Sequence, residues 1–438
     1  MTSAIVKDGR PSVIESRIDA PNALGRIAAA VGEAKPMVWL TGVEGIARLL
    51  SFGFYLIAAR VFAPQDFGVV QYTITVALLA FAGLQVLVTA IIRELGVERV
   101  DAERTREVLG SSLAAAIGLF VVTSLLCVLA KAIGLAEGAN TLGLLVVLAG
   151  TAAFQLYYAI GRGLGDQGRQ AASYVGASFA QLLMFLALVA ITRPTTAQAL
   201  VIFGASSFVP VLLYEWRRPI LRGLPLPISR DVLARLWLLG APLLAAQVGY
   251  LLWNSLDQLW VHSALGAYDL GLYASAKNLS QALIVIPGGT TGVMLPRIAQ
   301  LCRDGRTDSA RRLVIWGTLG TIAASALVAL AIVLVRVPLL SDLYGHTYRG
   351  AATALAAQAL GMVCYAGFAA LTMAAIGWGR PRVYLAGIAV AAVSEALCFQ
   401  VLGCESLPAA GLVYAGSIAA ALLFVVALLR VRPLWSAA

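Results

Sequence analysis

The sequence predicts an all-α polytopic membrane protein, about twelve transmembrane helices in two six-helix bundles. Three observations carry that expectation. Of 438 residues, 60% are hydrophobic and only 12% charged, with a mean hydropathy of +0.86, which excludes an ordinary soluble domain. Apolar stretches long enough to cross ~30 Å of hydrocarbon recur along the whole chain. The chain also repeats itself: Ala63-Pro64-Gln65-Asp66-Phe67-Gly68 returns 203 residues later as Gly266-Ala267-Tyr268-Asp269-Leu270-Gly271. At the same offset Glu44, Ser51 and Tyr55 return as Gln247, Asn254 and Gln258. Polar side chains are costly in hydrocarbon, so a recurring polar stripe points to two equivalent halves around a hydrated interior.

Taken in order, spans one and two cover 38–61 and 69–92, and the first copy of the repeat forms their turn. In span one Thr41, Glu44, Arg48, Ser51 and Tyr55 alternate at spacings of three and four, which places them on one helical face. Glu44 and Arg48 read either as an i,i+4 ion pair or as a carboxylate and a cation facing a cavity. Spans three to six cover 110–131, 141–161, 171–192 and 197–215. Spans seven and eight cover 236–261 and 271–295. There Gln247, Tyr250, Asn254 and Asp257 keep the same rhythm, with Gln258 beside them. Asp257 and Lys277 flank the Gly266 turn at similar depth, and a structural salt bridge between them is the favoured reading. Spans nine to twelve cover 313–335, 351–376, 383–402 and 409–429. Glu395 lies near the middle of span eleven with no local cation. It reads equally as a proton-holding coupling carboxylate or as a protonated, hydrogen-bonded packing residue.

These spans divide the chain into a tail (1–36), a bundle (37–215), a linker (216–235), a second bundle (236–430) and a tail (431–438). An even number of spans per half makes the halves parallel, related by an axis along the membrane normal. Pro210, Pro242 and Pro287-Gly288-Gly289 interrupt spans and predict kinks, with the last as the best hinge. Gly168-Arg169 and Gly379-Arg380 form a second echo, at offset 211.

The net charge of +10 is distributed as topology. With the N-terminus inside, the tails and inner loops hold 25 of the 32 Lys and Arg residues, and the outer face holds five. Such a bias orients a chain with both termini cytoplasmic and draws it to anionic lipid; it argues against nucleic-acid binding. Five cysteines and two histidines show no metal or disulfide spacing. The polar first 36 residues lack a secretory signal, so span one reads as an uncleaved anchor.

The run from Arg60 through Asp66 and Gly68, with Ser255-Leu256-Asp257-Gln258, Asp269 to Lys277 and Pro296, resembles the polysaccharide-transporter family over residues 37–430. That family contains the Wzx-type flippases, in the superfamily that also holds MATE drug exporters and the lipid II flippase. The resemblance implies a MATE-like, V-shaped fold in the bacterial inner membrane. The implied substrate is an undecaprenyl-diphosphate-linked oligosaccharide, turned to the periplasmic leaflet for O-antigen, capsule or exopolysaccharide biosynthesis. Implied partners are membrane lipids, a polysaccharide polymerase and export machinery, and a proton or sodium gradient, with no cofactor and no catalysis. On this reading Arg48 and Lys277, the cations within spans, meet the diphosphate, and Ser51, Tyr55, Gln247, Tyr250, Asn254 and Gln258 line the path. Glu395, Asp257 and Glu44 are the ion-coupling candidates, and tyrosines such as Tyr157, Tyr158, Tyr174, Tyr250, Tyr273 and Tyr365 suit sugar stacking. Those three carboxylates also keep open a MATE-like exporter of small cationic compounds. A membrane glycosyltransferase or polymerase would need catalytic groups in a large outer loop, where this chain has little beyond Asp342, His346 and Arg349.

Overall fold

Alanine, leucine and valine fill the stretches between proline and glycine breaks, and these segments fold as helices. The computed structural model describes residues 23–98, 102–134, 138–217, 219, 227–403 and 405–431. Side-chain surroundings are described from Gly42 onward, except at 86, 97, 98, 102 and 240–246. Residues 1–22 and 432–438 of the expected tails, and 218 and 220–226 of the linker, lie outside the described residues. Among those described, all regular structure is helical.

The first bundle comprises α1 (Ala23–Val61), α2 (Pro64–Ala80), α3 (Ala82–Glu98), α4 (Ala102–Ala132), α5 (Thr141–Leu164), α6 (Gln167–Ala171), α7 (Ala177–Ile191), α8 (Thr196–Ala205) and α9 (Phe208–Arg217). The second comprises α10 (Arg230–Leu265), α11 (Ala267–Ser280), α12 (Val285–Arg303), α13 (Thr307–Leu334), α14 (Arg336–Leu343), α15 (Ala352–Gly377), α16 (Arg382–Leu402) and α17 (Leu407–Val431). Some neighbours are halves of one crossing: α6 joins α7 through a π-turn at Ala172–Gly176, and α11 joins α12 through a 3₁₀ turn at Gln281–Ile284. Among the described residues ten helical runs are long and apolar enough to cross a membrane, or eleven with the bent α2–α3 pair. The 36-residue α10 completes a series of about twelve.

The breaks follow from chemistry. Pro210 and Pro287 each stand third in their helix, where the ring clashes with the preceding turn, so the ladder gives way just upstream, at 206–207 and 281–284. Two expectations change. Helix α1 starts at Ala23, inside the segment read as a polar tail, because 23–36 is rich in alanine, which favours helix without needing burial. The expected span 69–92 is two helices, 64–80 and 82–98, bent by 51°.

The sequence repeat becomes a contact between the bundles. A Cβ on Gly68 would stand 1.8 Å from the carbonyl oxygen of Ala267, and one on Gly271 would stand 1.9 Å from that of Pro64. Ala267 is the counterpart of Pro64, as Gly271 is of Gly68, at the 203-residue offset. Each copy thus seats its first-turn carbonyl against the other copy's glycine, as in an isologous interface. Neighbouring groups reinforce this end, called here the far face. Arg60 at the end of α1 donates to the carbonyls of Asp342 and Leu343 on α14. Phe67 packs edge-on against Tyr348 at 6.3 Å, and Tyr72 stacks on His262 at 3.7 Å. The Thr75 hydroxyl donates to Gln258 at 3.1 Å.

Toward the opposite, terminal face the bundles pack closely on one flank only. There α10 runs along α2, α3 and α4. Arg235 pairs with Glu94 at 3.2 Å, and the Ser229 N–H donates to Ser111 Oγ at 3.0 Å. On the symmetry-related flank α1 and α12 share only a short contact. Gly42, Gly45, Gly288, Gly289 and Gly292 have nothing within 4 Å of a Cβ position, and Leu49 and Val293 are 71% and 67% exposed.

Candidate functional site

The space between the bundles is lined first by α1. Arg48 is exposed, and its charge reaches Tyr174 of its own bundle and Tyr250 and Tyr365 of the other. Glu44, half-buried one turn away, also reaches Tyr174, but no ion pair joins it to Arg48 among the described residues. Tyr174 sits on the π-turn, a local unwinding common where a helix re-aims side chains. A second guanidinium joins this group. Arg162, exposed on the last turn of α5, donates to the Tyr158 hydroxyl at 2.6 Å and also reaches Tyr174. Tyr158 and Tyr174 meet edge-on at 5.0 Å, with Phe154 5.2 Å from Tyr174. Two guanidiniums around an aromatic box bind phosphate or carboxylate and stack on flat apolar faces such as those of sugar rings.

Arg162 escaped the sequence reading because span four was ended at 161. The signal was there in helical propensity, which carries α5 to Leu164 and places Arg162 on the helix instead of in a loop.

The other stripe residues distribute differently. Ser51 bonds Ser178 at 3.0 Å, and Tyr55 packs on Phe54 and Phe203 at 5.4 and 6.3 Å, so both turn into the first bundle. Gln258 belongs to the contact with α2. Gln247 and Tyr250 are half-buried on α10, and Asn254 accepts from Gln281 at 3.3 Å. Lys277, expected to meet an anion in the cavity, lies inside the second bundle with 1% exposure. It donates to both Asp257 oxygens and to the Asn254 carbonyl, each at 2.7 Å. Tyr273 donates to the same carboxylate at 2.8 Å, and Glu395 is buried nearby.

Near the terminal face Arg169 is likewise buried, sandwiched by Tyr157 and Tyr214 at 4.8 and 4.9 Å and paired with Glu215 at 2.5 Å. This clamp ties α5, α6 and α9 together. At the far face, burial holds the His262 imidazole below its ordinary pKa.

Two six-helix bundles meeting in a V, with cations and aromatics turned to the space between them, define the class: a polytopic membrane transporter fold. The chain belongs to the polysaccharide biosynthesis protein family, whose pattern matches residues 34–302. No curated protein sequence matches it significantly. Among solved structures it is similar to an inward-facing multidrug resistance MATE family transporter of the MOP superfamily, with a TM-score of 0.72 at 15% identity, covering 90% of this chain and 98% of that one. It is similar also to the lipid II flippase MurJ in an inward closed conformation, with a TM-score of 0.70 at 12% identity over 90% and 87% of the two chains. An outward-facing MATE transporter superposes less closely, with a TM-score of 0.56 at 18% identity over 91% and 95%.

Proposed function

We propose that this protein flips undecaprenyl-diphosphate-linked oligosaccharide units across the bacterial inner membrane by alternating access, for the synthesis of a surface polysaccharide. The observation that carries the reading is the pairing of Arg48 and Arg162 with the loosely packed α1–α12 flank. A lipid-linked sugar needs a cationic, hydrated path for its headgroup and a side opening through which its chain stays in lipid. A small cationic drug would need neither. Within this reading Gln247, Tyr250 and Asn254 line the second wall, and Glu44, Asp257 and Glu395 are the carboxylates available to an ion gradient. The Lys and Arg bias supports a cytoplasmic terminal face, on which the loosely packed flank would open to the cytoplasmic leaflet. Membrane lipids, a polymerase and export machinery are the expected partners.

Deletion of the gene should cause lipid-linked repeat units to accumulate while surface polymer falls. Complementation by wild type, but not by Arg48→Ala with Arg162→Ala, should restore the polymer. Unchanged polymer and no accumulated intermediate in the deletion strain would overturn the assignment.

A further inference from the structure

The second bundle encloses a charge cluster apart from the cation pair. Lys277 has three N–H groups and all are spent, on Asp257 Oδ1, Asp257 Oδ2 and the Asn254 carbonyl. Asp257 in turn accepts from Tyr273 and from the Gln258 backbone N–H, at 2.8 Å each. With exposures of 0% and 1%, Asp257 and Lys277 form a closed, neutral pair. Beside them on α16 stands Glu395, 0% exposed; neither of its oxygens makes a hydrogen bond of full geometry, and the donors turned toward it are the Asp257 backbone N–H and the Ser417 hydroxyl. The groups facing it are Asp257 from α10, Tyr273 and Lys277 from α11, and Tyr414 and Ser417 from α17. Helix α15 contributes the uncharged Gln358 beside Tyr273.

An ionised carboxylate in that position would look onto another carboxylate and an ammonium with no donor left. A buried charge so placed is neutralised instead. A metal ion is one way to do so, but the place beside Asp257 is held by the ammonium. A proton is the other.

We propose that Glu395 is a one-proton site in the second bundle, and that Lys277, standing where a bound metal ion would stand, closes the site to sodium. The inference rests on the transport reading and names its coupling ion. Helix α11 links the site to the far face, since Gly271 lies in the reciprocal contact and Lys277 follows six residues on, about 9 Å along the helix. Parting of the far face moves α11, loosens the pair and admits water. The O–H bond of Glu395 then breaks, the proton passing to water and the electron pair remaining on the carboxylate.

The test needs no substrate. Purified protein in lipid nanodiscs is followed by infrared spectroscopy from about pH 5 to about pH 10, in sodium chloride and in choline chloride. The wild type should show the carbonyl stretch of a protonated carboxylic acid, identical in the two salts, absent from Glu395→Gln and shifted in Glu395→Asp. No such band, or one that survives Glu395→Gln unchanged, overturns the proton site. A band that bleaches as sodium rises overturns the exclusion of sodium. Should Glu395→Gln not fold, the band shift in Glu395→Asp makes the same assignment. The infrared readout does not depend on flipping, so failure here leaves the genetic test of substrate intact, and the converse holds.

Discussion

Equivalent positions in the two halves carry opposite chemistry. At the 203-residue offset, Asp257 and Lys277 correspond to Phe54 and Ile74. All four are buried, with exposures of 0%, 1%, 0% and 2%. In the first half the position holds an aromatic contact, Phe54 against Phe185 at 4.9 Å; in the second it holds an ion pair at 2.7 Å. The same architecture therefore stands with an apolar pair in that place. Buried ion pairs return little net stability over well-packed apolar residues, so the charges of the second half serve something other than the fold. The first half buries Arg169 near the terminal face and turns two other cations, Arg48 and Arg162, to the open space.

The sharpest way to break this comparison is to remove one charge. Lys277→Ala should cost about 3–5 kcal/mol, because Asp257 is left buried and unpaired. The double variant Asp257→Leu with Lys277→Met, which imitates the first half, should recover most of that loss. Thermal unfolding of detergent-purified protein reads both; a mild single variant would mean that the pair is not a unit.

Next in size are the cavity cations. Arg48→Ala and Arg162→Ala should each weaken substrate binding by about 1.5–3 kcal/mol, the range for a hydrogen bond to a charged group. Stability should stay within about 0.5 kcal/mol, as for exposed sites generally. Polymer export in complemented cells, set beside the same unfolding assay, separates the two effects.

The reciprocal glycines test whether the halves remain equivalent in mechanics. Gly68→Ala and Gly271→Ala should each cost about 1–3 kcal/mol of far-face closure through overpacking, and by similar amounts. Spin labels at Gln65→Cys and Tyr268→Cys, in a background without native cysteines, should move apart equally in the two variants. Unequal shifts would show that one half carries the joint.

The smallest effect concerns pH. Burial lowers the His262 pKa in the closed contact with Tyr72. The closed form therefore binds a proton less readily than an open one, and closure weakens as pH falls through the ordinary imidazole range. The spin-label distance should lengthen modestly between about pH 7.5 and about pH 5.5, and His262→Phe should flatten the response.

Much of this architecture is written in hydropathy and in the repeat. Span positions depend on apolar content alone, and the two glycines recur in register because each receives the other's carbonyl. Side-chain direction is less visible. A three–four rhythm fixes that Ser51, Tyr55, Glu44 and Arg48 share a broad face, yet Ser51 and Tyr55 turn to α7 and α8 while Arg48 lies within reach of tyrosines from both bundles. Periodicity locates a face and leaves its neighbour unnamed. The same holds for Lys277, whose depth beside Asp257 follows from the turn at Gly266, whereas its enclosure depends on helices more than 130 residues away, such as α17 with Tyr414 at 5.0 Å. Arg162 required knowing that a helix outlasts its apolar stretch.

The glycine crossing at the far face is made of main chain on both sides. A backbone surface reads the same whatever side chains surround it, so substitutions that retune the cavity leave this closure untouched. Cargo chemistry and the fit between the halves therefore rest on separate atoms, side chains for the one and main chain for the other.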